Sequence, residues 1–135
     1  MATTVCIPAH ADDASIVVSH AWTPIQAQSG VDTALYLRIE NHGKDADALT
    51  RARCPVATFT EKKVVDIGEG VPAPRTVTSV PLPASSTTDL TPKTGFVALL
   101  QTTEALPVGT SFTCTLTFRI AGSIDVAVVA ATAAP

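Results

Sequence analysis

Apolar residues recur at every second position over much of this chain, the pattern of β-strands with one face buried. The alternation is cleanest over residues 112–120. There Phe112, Cys114, Leu116, Phe118 and Ile120 fall on one face and Thr113, Thr115, Thr117 and Arg119 on the other. Residues 33–41 repeat it, with Leu35, Leu37 and Ile39 inward, Tyr36, Arg38 and Glu40 outward, and Asn41, His42 and Gly43 forming a turn. Residues 16–22 place Ile16, Val18, His20 and Trp22 on one face and Val17, Ser19 and Ala21 on the other, ending at Pro24.

Further strands are expected at 47–53 and 56–65, around Pro55, whose missing N–H argues for an edge or a bulge. A loop over 68–74 precedes short strands at 76–82 and 86–90, separated by Pro83, and an apolar strand at 95–102. Pro107 to Gly109 make a turn, and Ala121 with Gly122 turns the chain into 124–129, so that the last two strands pair as a hairpin. No segment has a sustained 3.6-residue period. The expected fold is all-β, a meander or Greek key of eight or nine short strands closed into a sandwich or barrel. The strand pattern alone equally permits an immunoglobulin-like sandwich.

Composition narrows the function. The chain has 135 residues, the length of one domain, with 46% apolar but only 4% aromatic residues and ten prolines. A formal charge of −3, with nine basic residues spread along the chain, offers no surface for nucleic acid or anionic lipid. The longest apolar run, 126–131, is strand length, far short of the roughly 20 residues of a membrane helix, so no membrane insertion is expected. The sequence contains no G-x-S-x-G elbow, no H-E-x-x-H and no glycine-rich phosphate loop, and it is read as a non-enzyme.

Residues 1–14 are read as a flexible N-terminal segment or the remnant of a leader, 15–131 as a single β domain, and 132–135 as a tail. Ala9, His10 and Ala11 form an A-x-A pattern of the kind that precedes leader cleavage. Cys6, Cys54 and Cys114 show no C-x-x-C spacing. If Cys6 is removed with a leader, Cys54 and Cys114 either form a disulfide in an oxidising compartment or sit in the core as small apolar residues.

Several segments, in order, resemble the PCuAC family. They are Val18-Ser19-His20-Ala21-Trp22, the stretch from Tyr36 to Gly43, Asp47-Ala48-Leu49, and Cys54-Pro55-Val56-Ala57 leading to Glu61. Val80-Pro81-Leu82-Pro83, Leu90-Thr91-Pro92 and the closing Leu116 to Gly122 complete the set. The resemblance implies a cupredoxin-like Greek-key β-barrel, a periplasmic or secreted location, and a role in copper handling with a copper-accepting or copper-donating periplasmic protein as partner. That family usually grips Cu(I) with two His and two Met, soft sulfur and imidazole being suited to that ion. The corresponding places here hold Lys63, Pro74, Phe96 and Ala98, and the only methionine is Met1.

With only His10, His20 and His42 available, any copper is expected on an alternative histidine-nitrogen site that favours Cu(II) over Cu(I), and otherwise no cofactor is expected. The candidate metal ligands are His10, whose amine and ring would form a brace if cleavage fell after Ala9, and His20, its only partner within reach of the first strand. His42 belongs to a turn. The rival reading is a metal-free β-sandwich module acting as a protein-binding or structural domain, its contact surface centred on Lys63, Pro74 and Phe96.

Overall fold

A computed structural model describes residues 15–66, 70 and 73–134. Ten strands are found among them: β1 (Ile16–Pro24), β2 (Thr33–Asn41), β3 (Asp47–Arg53), β4 (Ala57–Asp66), β5 (Ala73–Val77), β6 (Val80–Leu82), β7 (Ser86–Leu90), β8 (Gly95–Thr102), β9 (Ser111–Phe118) and β10 (Gly122–Ala131). They form one sheet in the order β5-β4-β8-β2-β1-β10-β9-β3-β6, with β7 also paired to β2, curled into a nearly closed all-β barrel. Neighbours are antiparallel except β1 and β10, which run parallel. β3 and β4 meet at the seam, where the Thr60 hydroxyl donates to the Ala52 carbonyl at 2.6 Å.

The alternation of β2 and β9 is realised as the pattern predicts. Leu35, Leu37 and Ile39, with Cys114, Leu116 and Phe118, are buried and face Val97, Leu99, Val126 and Val128 in one core. Each such side chain contributes about 1.5–3 kcal/mol by leaving water. The expected hairpin of the last two strands is present from Gly122↔Phe118 to Val129↔Ser111.

Three expectations are corrected. In β1 the register against β2 shifts between Ser19 and Trp22, so one extra residue is accommodated as a bulge and His20 takes a φ of +56°. A one-residue slip exchanges the two faces of a strand. Ile16 is buried before the bulge and Ala21 and Thr23 after it, so His20 is exposed and Trp22 points outward, rather than sharing the face of Ile16. The stretch read as one strand over 76–82 is two, because β5 pairs with β4 whereas β6 pairs with β3 near the opposite end of the sheet. Ile120, expected to face inward, sits in the β9–β10 turn and is 64% exposed.

That turn is held by Asp47, a buried carboxylate. Its Oδ1 accepts the backbone N–H groups of Ala48 at 2.7 Å and Ile120 at 2.8 Å, and Oδ2 accepts that of Ala121 at 3.0 Å. Of the two fates open to the cysteines, the structure shows the bond: Cys54 and Cys114 are joined, with Cα atoms 4.3 Å apart and a sequence separation of 60. Gly95 permits the close crossing of β8 and β4. A Cβ there would lie 2.7 Å from the Lys63 carbonyl oxygen.

Candidate functional site

Ladder register places one row of side chains on the outer face of the barrel. Trp22 lies opposite Tyr36, Phe96 opposite Lys63, and Lys63 opposite Thr76, while the β2–β8 register that pairs Leu35 with Val97 sets Tyr36 beside Phe96. The rings touch. Trp22 and Tyr36 have centroids 5.2 Å apart, and Tyr36 meets Phe96 edge-on at 5.9 Å, a favoured aromatic geometry. Burial against these neighbours raises the Tyr36 hydroxyl pKa above its usual value, because the phenolate is the form that loses hydration.

The row ends at a tethered cation. The Lys63 ammonium donates to the Thr76 hydroxyl at 2.5 Å and pairs with Glu61 Oε1 at 3.0 Å, and the Lys63 side chain is only 22% exposed. Glu61 lies opposite Ala98 in the ladder, and Pro74 opposite Val65 on the same face. The four places singled out in the sequence, Lys63, Pro74, Phe96 and Ala98, therefore share one face of β5, β4 and β8. Phe59, also on β4's outer side and 56% exposed, extends it. Four of the six aromatic residues, Trp22, Tyr36, Phe59 and Phe96, thus lie on this outer face.

The candidate ligands are not assembled with it. His20 stands in the β1 bulge, its Nδ1 3.1 Å from the Ser19 hydroxyl, beside a small cleft of about 180 Å³ shared with Trp22, Arg38, Asp89 and Thr91. Asp89 there is engaged by Arg38 Nε at 2.7 Å. His10 lies outside the described residues. His42 Nε2 is 3.1 Å from Glu40 Oε1 on an exposed edge. Among the described residues, no three of His, Cys, Asp and Glu converge as a metal cluster. The sequence reading missed the parts of Trp22, Tyr36, Glu61 and Thr76. The available signal was Tyr36 on the polar side of its strand, among Arg38 and Glu40.

Over residues 16–130 the sequence matches the model of the family described as "Putative lipoprotein LpqE-like". The chain belongs to the LpqE-like family. Solved structures agree on the fold. This LpqE-like chain is similar to the apo PCuAC domain from PmoF1, with a TM-score of 0.73 and 26% identity over 90% of this chain and 95% of that one. It superimposes on the copper-bound PCuAC domain from PmoF2 with a TM-score of 0.70 and 22% identity, covering 90% and 94% of the two chains. Cu(I)-bound DR1885 from Deinococcus radiodurans gives 0.67 and 23%, covering 85% and 78%. No curated protein sequence matches the chain. The PCuAC-like fold expected from the sequence is therefore the fold observed.

Lys63, Pro74, Phe96 and Ala98 supply neither imidazole nor thioether, and a fixed ammonium repels a cation.

Proposed function

We propose that this LpqE-like protein is an extracytoplasmic copper-handling protein that does not use the His/Met Cu(I) site of PCuAC chaperones. The domain is taken as residues 15–131, between the segment 1–14 and the tail 132–135. The observation that carries this reading is the Lys63–Glu61–Thr76 knot beside Phe96, on the PCuAC-like fold, at the places where the resemblance puts the copper ligands. The disulfide and the lipoprotein family support a location outside the cytoplasm, where copper proteins are its natural partners. Copper held by the oxidised protein is Cu(II) on histidine nitrogen, with His20 as one ligand and His10 as the other. The exposure of His20 supports this role, as does its left-handed backbone, a conformation found disproportionately at functional positions.

Titration of the oxidised protein with Cu(II) and Cu(I) against a competing chelator tests this. One tight Cu(II), lost in both His10→Ala and His20→Ala, is the expected result. Binding unaltered in both variants would sink the histidine site. No tight copper in either oxidation state would favour the second reading, a metal-free module that works by contact. The outer aromatic face is the observation in its favour, since Trp and Tyr are enriched where proteins meet.

A further inference from the structure

The cysteine pair occupies an unusual place in the ladder. β3 and β9 run antiparallel with Ala52↔Leu116 and Arg53↔Thr115. One step further in the same register sets Cys54 directly opposite Cys114, which is why their Cα atoms are 4.3 Å apart. On the other side, Cys114 is paired with Val126 of β10. The β3–β9 ladder, which ends one residue before Cys54, therefore brings the two cysteines together alongside the S–S bond. Opening the bond leaves a dithiol already in position. Cys54 also forms part of the wall of an open cleft of about 510 Å³, together with Arg53, Thr58, Thr60, Thr113 and Thr115. Cys54, 3% exposed, and Cys114, fully buried, lie in the core, with the cleft on the Cys54 side. These are the only sulfur atoms among the described residues, and thiolate is the ligand class that selects Cu(I).

We propose that Cys54 and Cys114 form a redox-gated Cu(I) site: closed as the disulfide, and open as a two-thiolate ligand pair after reduction by a dithiol. In the first step the external dithiol becomes a cyclic disulfide, and its two electrons and two protons convert the protein disulfide to two thiols. In the second, Cu(I) displaces both protons and is bound by two thiolates. The relevance of copper as cargo rests on the proposed function, but the site itself is independent of His10 and His20.

The test uses the full chain carrying Cys6→Ser, so that no third thiol competes. The protein is reduced with dithiothreitol, freed of it by anaerobic gel filtration, and titrated with Cu(I) against bicinchoninate. Far-UV circular dichroism and amide NMR spectra report the fold. The expected result is one Cu(I) per folded chain, bound at least about a hundredfold more tightly than by the oxidised protein, and lost on adding Cys54→Ser or Cys114→Ser. The proposal is overturned if the reduced protein binds no better than the Cys54→Ser/Cys114→Ser chain, or if reduction unfolds it, since uptake would then belong to unstructured thiols. Histidine-based Cu(II) binding is read on the oxidised protein. Failure of the thiolate site therefore leaves the histidine site standing, and the reverse holds as well.

Discussion

Two outward faces of this barrel are made of the same kind of strand and carry different chemistry. Across β1, β2, β8 and β4 run Trp22, Tyr36, Phe96 and Lys63. Across β3, β9 and β10 run Arg53, Thr115 and Asp125 and, two residues along, Arg51, Thr117 and Ser123. The second face is what solvent-facing strands ordinarily present. Its hydroxyls are tied across the sheet, Thr115 to Asp125 at 2.8 Å and Thr117 to Ser123 at 3.2 Å. The first places most of a scarce supply of aromatic rings on the outside of a barrel whose core is filled by Leu, Val and Ala. Folding stability does not require that arrangement. Contact with something outside the chain is the physical reason for it on the second reading proposed above, the module that works by contact.

The contrast is sharpest for a single residue type. Phe118→Ala empties a fully buried site on β9 and should cost about 3–5 kcal/mol in denaturant unfolding. Phe59→Ala, on the exposed face, should cost less than about 1 kcal/mol. Equal losses would mean that the outer aromatic face is part of the core after all.

On the hydroxyl side, removing the Cys54–Cys114 bond releases a 60-residue loop in the unfolded chain and should cost about 2–4 kcal/mol, with both serine variants compared by chemical melts. Asp47→Ala should follow at about 2–3 kcal/mol, because one buried and two part-buried N–H groups lose their acceptor and the β9–β10 turn loses its anchor. If Asp47→Ala were neutral, water would be replacing the carboxylate and the turn would be held by Gly122 alone.

His20 lies at the border of the aromatic face, and its effect should be smaller and of opposite sign. His20→Gly relieves a φ of +56° and should stabilise by about 0.5–1 kcal/mol. Destabilisation instead would show that the imidazole makes contacts worth more than the strain. The smallest effect is that of pH on Tyr36. Its folded pKa is raised by burial, so its contribution is complete below the ordinary tyrosine value of 10.0 and is lost as pH rises from there through the folded value. Tyr36→Phe should flatten that alkaline decline, as followed by thermal melts above pH 10.

Much of the fold was legible because a strand's pattern is local. Each period-two segment states which residues face inward, and β2 and β9 needed nothing else. Composition likewise shows that residues 15–131 hold no methionine and two histidines, His20 and His42. What lay beyond reach were facts of register and pairing. The β1 bulge reverses the faces after Ser19 because β2 demands it, which sends His20 and Trp22 outward although local alternation pointed the other way. Ile120 continues its strand's apolar series in sequence, yet Asp47, 73 residues away, pulls its N–H into a turn. The joining of Cys54 to Cys114 and the alignment of Trp22, Tyr36, Phe96 and Lys63 depend on which strands lie side by side. The sequence by itself thus determined most of the strands, the inner faces of β2 and β9, and the family resemblance. The tertiary structure alone decided which outward residues meet, because the energies that set register come from hydrogen bonds and packing between segments far apart in the chain.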